Sequence, residues 1–514
     1  MQKKIPNLLK TLRADNVDKL KIIIENNANL KEYIGELPSI FDDTPKITAF
    51  IAYFGAMECF DYVVDLIKKN KAEKALQTNQ DNTEKKKKMK LSITHADKSS
   101  RSTIHFAAAG GKSKFIRRLV EDFNQLSDLD AYNRSALHYA AEYNQKKAFD
   151  LLTSFSVLSI DSKDIFGNTP LHLATDNMCT VIVKSLVEEH SCNLNLRDKD
   201  GASPLMFAAK VGSLELFDFF LEKNANVKVK SKSGLSLLHY AAFGNDSDII
   251  DKIVKDLDFS NIDAIDNYKR TPLFYACEKG AYYSAYSFVV DYKATLNTRD
   301  IDEATPFHFA ATSGNVRIFT LLLNNGAKIE DFLTIDKFGR TILHYAAEAG
   351  SIDTIKFLLN YTGSDQNSSD DDQYLFRDQL KKGLNYAGYT ALHCAAENNH
   401  PYIIEMLVNE FGFDINQTNQ QRETPLLCAV KTNSIDSVVM LLKLGADTSI
   451  QDNESITALD FASQNNFMQI VRILLQNGAT SSNARQSKNN STLETPEIAS
   501  KPANVDNVAS LEPL

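Results

Sequence analysis

The chain has 514 residues, 43% of them hydrophobic, which is ample apolar material for a folded body and excludes a disordered chain. Its formal net charge of -9 at pH 7 and its pI of about 5.7 argue against a nucleic-acid-binding body, because neutralising phosphates requires a concentrated basic face. Length alone suggests about three or four globular domains, a prior that holds only for a sequence without internal repeats.

The N-terminal residues lack the features of a targeting segment. Residues 1–20, MQKKIPNLLKTLRADNVDKL, have no uninterrupted apolar core and contain acidic residues that transit peptides avoid. The most apolar stretch begins at Thr48, but Glu58, Asp61 and Asp65 interrupt it, whereas a membrane-spanning helix needs about 20 apolar residues with few or no charges. We therefore expect a cytoplasmic protein without membrane insertion.

A ten-residue phrase recurs along most of the chain. In chain order its copies are STIHFAAAGG (Ser102), SALHYAAEYN (Ser135), TPLHLATDNM (Thr169), SPLMFAAKVG (Ser203), SLLHYAAFGN (Ser236), TPLFYACEKG (Thr271), TPFHFAATSG (Thr305), TILHYAAEAG (Thr341), TALHCAAENN (Thr390), TPLLCAVKTN (Thr424) and TALDFASQNN (Thr457). Successive starts are 33, 34, 34, 33, 35, 34, 36, 49, 34 and 33 residues apart, so one interval breaks the rhythm.

Each copy predicts the same local structure. The opening Ser or Thr supplies an oxygen to the free amides of a helix's first turn, and Pro, where present, follows at a position where it costs no hydrogen bond. Paired alanines allow close helix packing, and a Gly or Asn corner ends the helix. A second helix follows, such as SIDTIKFLLN with Ile352, Ile355, Leu358 and Leu359 on one face. A tight turn then carries Asp and Gly three residues apart, as in Asp164 with Gly167, Asp198 with Gly201, and Asp336 with Gly339.

These repeated residues resemble those of ankyrin-repeat proteins, whose unit is a β-turn followed by two antiparallel helices, with a Thr-Pro-Leu-His signature and a period of about 33 residues. The resemblance implies an all-α solenoid of roughly thirteen units in one elongated right-handed stack. Two upstream segments, Leu8 to Leu30 and Phe50 to Ile67, look like divergent units of the same kind.

The chain is accordingly divided into six parts. In chain order we expect divergent capping repeats (1–70), a Lys-rich linker (71–96), regular repeats (97–360), an acidic insertion (361–383), further repeats with a C-terminal cap (384–480), and a disordered tail (481–514).

The histidine of the signature recurs in seven copies, at His105, His138, His172, His239, His308, His344 and His393, while Met206, Phe274, Leu427 and Asp460 replace it in the other four. Adjacent helices lie about 8–10 Å apart, whereas zinc ligands lie about 2.0–2.1 Å from the metal, so one histidine per unit cannot form one site. We interpret the imidazole as a structural group that bonds near the turn of its own or the neighbouring unit.

No motif for catalysis or cofactor binding is present. The sequence has no phosphate-binding Gly loop, no HExxH and no GxSxG, and the repeats leave no stretch that could hold an enzyme. Cysteine spacing indicates neither zinc nor disulfides and favours buried thiols at Cys59, Cys179, Cys192, Cys277, Cys394 and Cys428. We predict a protein that is not an enzyme and needs no metal or cofactor.

Two irregular segments carry weaker signals. The run between Lys85 and Lys90 fits a solvated loop, with nuclear import or contact with an anionic surface as the alternatives. Ser368 and Ser369 stand directly before three aspartates in the insertion and are typical of acidophilic kinase targets.

The family resemblance implies that a protein partner binds in the groove lined by turn tips and first helices. The leading hypothesis is an intracellular scaffold or adaptor that is monomeric; the alternative is a subunit that inhibits or positions an enzyme. Large aromatic groups at turn tips favour an interaction surface, although each could instead fold back onto the next turn. The candidate groove residues are Tyr132, Phe166, Tyr268, Phe338, Tyr386 and Tyr389 in the turns, and Glu142, Tyr143, Lys210, Glu278, Glu348 and Glu397 on the first helices.

Overall fold

The computed structural model describes residues 8–25, 47–76, 97, 99–257, 259–360 and 378–481. The chain divides into two compact units, Met1–Asp331 and Phe332–Leu514. Within the described ranges all regular secondary structure is helical, with no strand, as an all-α solenoid requires. The Lys85–Lys90 run, Ser368 and Ser369, residues 361–377 of the insertion and the tail after residue 481 lie outside the described ranges.

In the first unit short helices follow one another in pairs. They are α1 Leu8–Arg13, α2 Val17–Glu25, α3 Ile47–Phe54, α4 Met57–Leu76, α5 Thr103–Ala109, α6 Ser113–Phe123, α7 Ala136–Glu142, α8 Lys146–Ser154, α9 Pro170–Asp176, α10 Thr180–Glu188, α11 Pro204–Lys210, α12 Leu214–Glu222, α13 Leu237–Gly244, α14 Ser247–Asp251, α15 Pro272–Glu278, α16 Tyr282–Tyr286, α17 Pro306–Ser313 and α18 Val316–Asn324. A π turn extends α14 over Lys252–Asp256 and another extends α16 over Ser287–Asp291, and a 3-10 turn, Ile329–Leu333, follows α18.

The second unit repeats the pattern. Its helices are α19 Ile342–Ala349, α20 Ile352–Asn360, α21 Ala391–Glu397, α22 Pro401–Asn409, α23 Pro425–Lys431, α24 Ile435–Lys443, α25 Ala458–Gln464 and α26 Met468–Gln476. Residues 378–382, at the end of the insertion, form one further short helix.

Helices pack in two rows within each unit. The first helix of a pair contacts the first helix of the next pair, as α11 contacts α13, and second helices contact second helices, as α6 contacts α8. The paired alanines are buried at these contacts, for example Ala208 and Ala209 on α11. Small side chains there let the helix backbones approach closely, as the repeated phrase predicts.

The two divergent segments also form helix pairs. Helix α1 packs on α3, α2 packs on α4, and α3 packs on the first regular helix, α5. Asp15 links the two pairs, because its carboxylate accepts the backbone N–H groups of Glu58 and Cys59 at 2.9 Å. The helical nature of these units is therefore confirmed, while the total of thirteen units and their arrangement in a single stack stay predictions.

The turns between helix pairs are joined by their backbones. The N–H of a turn's second residue donates to the carbonyl of the preceding turn's third residue, as from Ile165 to Tyr132 (2.8 Å) and from Tyr386 to Phe338 (2.9 Å). We call this series the turn ladder. It recurs from Lys199 to Phe166, from Lys232 to Asp200, from Asn267 to Ser233, from Ile301 to Tyr268, and from Gln420 to Ala387.

The predicted Asp and Gly have distinct parts in each turn. Asp164 Oδ1 accepts the N–H groups of Phe166 and Asn168 at 2.9 and 2.8 Å, which closes the turn around the carboxylate. Gly167 adopts φ +80°, in the left-handed region where a Cβ causes strain, and a Cβ there would lie 2.6 Å from the Lys199 nitrogen. Asn133 occupies the equivalent position of its turn with φ +59°. The position therefore requires a left-handed backbone conformation and not glycine itself.

One residue of the predicted apolar face of α20 is partly exposed. Ile355, Leu358 and Leu359 of α20 are buried, but Ile352 is 38% exposed. Ile352 is the first residue of the helix, and helical side chains lean toward the N-terminus, so this one projects past the end of the packed face.

Candidate protein-binding groove

The signature histidines close the start of the first helices. In α9, His172 Nδ1 accepts the N–H of Thr169 at 3.2 Å and lies 2.9 Å from the Thr169 hydroxyl. Its Nε2 lies 3.3 Å from the carbonyl of Ala202 in the next unit. Because a carbonyl can only accept, Nε2 carries the proton of a neutral ring. The imidazole of His172 thus ties its own helix start to the next turn, which confirms the structural interpretation.

The bond to the next turn recurs at four further histidines. Nε2 lies 3.1 Å from Arg134 O in the case of His105, 3.1 Å from Arg270 O for His239, 2.9 Å from Tyr389 O for His344, and 3.1 Å from Glu423 O for His393. Burial lowers the pKa of His138, His172 and His393 to about 4. These rings are neutral at pH 7 and are enclosed by the fold, so they offer no base or ligand to solvent.

Repeats without the histidine still form the first helix but lack the hydrogen bonds that the imidazole makes. Where Met206 and Phe274 replace it, the buried hydroxyls of Ser203 and Thr271 have no hydrogen-bond partner within the described part of the chain. Where Asp460 replaces it, the carboxylate takes over: its Oδ2 accepts the Thr457 N–H at 3.1 Å and the hydroxyl at 2.6 Å. The helix forms in every case, so the imidazole adds bonds to a start that already exists.

One group of three potential metal ligands occurs in the described ranges: Asp150, Glu189 and His190. The ammonium of Lys146 lies between its carboxylates, 2.6 Å from Asp150 Oδ1 and 2.9 Å from Glu189 Oε2. Lys146 of the chain itself already neutralises both acids. We therefore assign the group to ion pairing between neighbouring helix pairs. All six cysteines are buried and free, as predicted.

Four of the candidate aromatic side chains are exposed at turn tips. The exposed fractions are 42% for Tyr132, 48% for Phe166, 46% for Tyr268 and 49% for Phe338. The rings of Tyr132 and Phe166 stack with their centroids 6.0 Å apart, so folding back onto the next turn accounts for part of their surface only.

Arginines next to the tips are the residues that sequence reasoning missed. The guanidinium carbon of Arg270 lies 5.5 Å from the centre of the Tyr268 ring, and that of Arg340 lies 5.3 Å from the centre of Phe338. Arg340 also pairs with Asp336 at 2.8 Å. Alignment of the turns provides the signal, because Arg134, Arg270 and Arg340 all stand two residues after a tip aromatic.

The two tyrosines of the turn after the insertion lie in different surroundings. Tyr386 is 63% exposed and is available to a partner. Tyr389 is half-buried: its ring lies 5.3 Å from that of His393, and its hydroxyl donates to Glu423 Oε2 at 3.4 Å. Burial also raises the pKa of Tyr389 above its usual value. Packing within the fold therefore accounts for most of the Tyr389 side chain.

The polar candidates on the first helices mostly have partners in the chain. Glu142 pairs with Arg134 at 3.2 Å and Glu348 with Arg340 at 3.5 Å, so in each unit a tip arginine and a helix acid form a charged edge. Lys210 pairs with Asp176 at 3.0 Å, and Glu278 pairs with Lys279 at 2.8 Å. Tyr143 is half-buried at the end of α7. Glu397 is also half-buried, and burial raises its pKa.

Apolar and charged groups lie side by side on these surfaces. Exposed aromatic rings offer apolar area at a small entropic cost, and the arginines and acids beside them offer charged hydrogen bonds. No helix among those described is both long and apolar enough to cross a membrane.

Comparison with known proteins identifies the architecture. A family model for ankyrin repeats, in three copies, matches residues 69–164, 154–231, 208–300, 284–370, 373–452 and 411–486. The chain is similar to the transient receptor potential cation channel subfamily A member 1 of Homo sapiens, with 25% identity over 72% of this chain and 29% of the channel. It is also similar to the E3 ubiquitin-protein ligase KEG of Arabidopsis thaliana (25% identity, 59% of this chain, 18% of the ligase) and to the B-cell lymphoma 3 protein homolog of Mus musculus (29% identity, 42% of this chain, 46% of that protein).

The chain spans less than half the length of each of these relatives. Repeats of this type generally mediate contacts between proteins and are typically not catalytic. The repeated helix pairs, the turn ladder and the matches along most of the sequence together show that this chain belongs to the ankyrin-repeat family.

Proposed function

We propose that this chain is an intracellular scaffold or adaptor, which binds a protein partner through its turn tips and the first helices beside them. The observation that carries the proposal is the exposure of the tip aromatics, which are Tyr132, Phe166 and Tyr268 in the first unit and Phe338 in the second. A large ring that stays about half exposed adds little to folding, yet it can bury much area in an interface.

The charged edge beside the tips supports the same proposal. Arg134 with Glu142, and Arg340 with Glu348, place both signs of charge next to exposed rings. Such pairs at the rim of an interface steer a partner's approach and set its orientation more than they add affinity. In this proposal the partner is a protein, and the chain acts as a monomer in the cytoplasm without catalytic activity of its own.

The experiment has two steps. Crosslinking of the native protein in its own lysate, followed by identification of the attached protein, names the partner. The affinity of that partner is then measured for the chain with Phe166, Tyr268 and Phe338 replaced by Ser, alongside urea unfolding of the same variant. We expect affinity to fall at least about tenfold, because interface aromatics are often worth 2 kcal/mol or more, while stability changes little.

A matched control replaces three exposed apolar residues of the second helices, Val181, Tyr402 and Met468, by Ser; they are 56%, 73% and 66% exposed. This control should keep the affinity. A large loss of stability in the tip variant with binding retained by its folded fraction would show that the rings serve packing. If the attached protein is a single stoichiometric enzyme whose activity changes on adding this chain, the role is that of a regulatory subunit instead of an adaptor.

A further inference from the structure

Within each unit, ion pairs join the second helices of neighbouring helix pairs, and we call such a series the outer ion-pair row. In the first unit Lys184 of α10 pairs with Glu215 of α12 at 2.8 Å, and Lys252, in the turn after α14, pairs with Asp218 of α12 at 2.5 Å. Arg118 of α6 pairs with Asp61 of α4. In the second unit Lys443 of α24 pairs with Glu405 of α22 at 3.3 Å. Each base of this row finds its acid on an adjacent second helix.

The row changes character between α16 and α18. The fifth residue of the second helix is Lys184 in α10 and Tyr286 in α16, and the second residue of the following second helix is Glu215 in α12 and Arg317 in α18. Helix α16, with the sequence YYSAY, therefore presents tyrosines and no acid to Arg317. Arg317 is exposed and has no ion pair with any described residue.

Tyrosine holds the guanidinium in place of an acid. The guanidinium carbon of Arg317 lies 3.9 Å from the centre of the Tyr282 ring, a stacked cation–π contact. Contact with the ring restrains the guanidinium and uses none of its N–H donors, two of which a single carboxylate can accept.

A cavity of about 410 Å³ opens at the same place, lined among others by Tyr282, Tyr286, Val290, Arg317, Asn324 and Asn325. Val290 belongs to the π turn that extends α16, and Tyr286 is 42% exposed. The cavity thus combines one oriented positive group, tyrosine rings and asparagine amides. These groups suit a side chain that has an acidic end and a stem that rests on a ring.

We propose that this cavity binds an aspartate or glutamate side chain of an acidic peptide segment in a protein partner. The carboxylate replaces the acid that adjacent helices supply elsewhere in the outer ion-pair row, and its single negative charge matches the single unpaired guanidinium. The site lies on second helices, uses none of the turn-tip aromatics, and is independent of the binding surface proposed above.

The test begins with a random-peptide display library selected on the full chain. In parallel the library is selected on the Arg317→Gln variant, which keeps the side chain polar but removes its charge. We expect a set of peptides rich in Asp and Glu that is recovered on the unchanged chain and lost on Arg317→Gln. Absence of any Arg317-dependent peptide would overturn the proposal.

The most enriched of these peptides, labelled with fluorescein, is then the probe for anisotropy measurements. Its affinity should fall at least about tenfold on Arg317→Gln, which is about 1.4 kcal/mol, and fall as well on Tyr286→Ala. Arg317→Lys should recover only part of the affinity, because an ammonium lacks the planar fork. A peptide with Gln in place of its Glu or Asp residues should not bind.

Two controls separate this site from other surfaces. Arg117 of α6 is an exposed arginine on another second helix, and Arg117→Gln should leave the affinity unchanged. The triple Ser variant of Phe166, Tyr268 and Phe338 should also bind the probe normally, so either proposal can fail alone. Tighter binding of a phosphoserine form of the peptide would overturn the carboxylate assignment. Sedimentation tests whether the chain associates with itself. If it does, and if Arg317→Gln abolishes that association, the ligand of the cavity is a second copy of the chain, and the proposal of an acidic peptide is wrong.

Discussion

Helices α9 and α11 begin in the same way but differ in one side chain. Both start from an extended residue followed by Pro, with Thr169 at φ -90° and ψ 167° and Ser203 at φ -101° and ψ 164°. In α9 the third helical residue is His172, which bonds the Thr169 hydroxyl and the next unit; in α11 it is Met206, and the Ser203 hydroxyl is buried without a partner among the described residues. The backbone thus sets the helix start, whereas the imidazole joins units.

Acid should have the largest effect on this difference, because it acts on all histidine-bearing units at once. Unfolded histidines have a pKa of about 6.5, while burial lowers the pKa of His138, His172 and His393 to about 4 in the folded chain. Between these values the unfolded state binds more protons, so stability is complete above about pH 6.5 and is lost as the pH falls toward 4. Each ring contributes about 1.4 kcal/mol per pH unit in that window.

The measurement is the urea midpoint between pH 7.5 and 4.5. Burial raises the pKa of the carboxyl groups of Glu142 and Glu397, which opposes the effect but in fewer groups than the histidines. A midpoint that stays level from pH 7 to pH 5 would contradict the assignment of neutral buried rings.

Replacing a signature histidine by methionine, the residue found in α11, should have the next largest effect on the free energy of unfolding. His239→Met removes the ring whose Nδ1 accepts the Ser236 N–H at 3.2 Å and whose Nε2 bonds the Arg270 carbonyl at 3.1 Å. We expect a loss of about 1–3 kcal/mol in urea unfolding, because buried polar groups are left without partners. Met206→Leu is the control and should cost less than about 1.5 kcal/mol, since it changes shape only. Adding a chelator should leave the midpoint of the unchanged chain where it is, and a marked fall would indicate a metal instead.

The reverse change should give a smaller gain. Met206→His places an imidazole beside the Ser203 hydroxyl, which has no partner in the described part of the chain, and directs it toward the Leu235 carbonyl, the equivalent of the Arg270 carbonyl in its turn. We expect about 0.5–1.5 kcal/mol of added stability in urea unfolding at pH 7.5, the net value of one hydrogen bond. The gain should vanish at pH 5, and a variant that is equally stabilised at both pH values would show that its effect is not that of a neutral ring.

The smallest effect is expected at Asp460, the acidic substitute for the histidine. Asp460→Asn keeps an oxygen to accept the Thr457 N–H but removes the charge at the start of α25. A loss of about 0.3–1 kcal/mol corresponds to the interaction of that charge with the helix dipole. Thermal unfolding in low and high salt checks this, because the loss should shrink as salt screens the charge. A loss that is independent of salt would assign the effect to the hydrogen bonds.

The features that the sequence could predict are those decided within one unit. The start of α9 follows from Thr169, Pro170 and His172, and the turn at Asp164 and Gly167 follows from local backbone preferences. Repetition made these patterns visible, since the same letters recur at each equivalent place.

Features that depend on neighbouring units were not predictable in this way. The exposure of Ile352 depends on where α20 begins, and the stacking of Arg270 on Tyr268 depends on side-chain directions that spacing does not give. The π turns after α14 and α16 have no signature in the repeated phrase. The contact of Arg317 with a tyrosine in place of an acid depends on which side chains the neighbouring second helix carries, and the repeated phrase does not specify them.

The turn ladder also sets the spacing at which a bound peptide would meet the turn tips. Within each unit, where adjacent turns are bonded to one another, the backbone fixes the pitch of the turns that carry the tip side chains. At Tyr132 and Phe166 that pitch is 6.0 Å between ring centres. An extended peptide places alternate side chains about 6.6–6.8 Å apart, so a segment running along these two turns would meet one tip with every second residue.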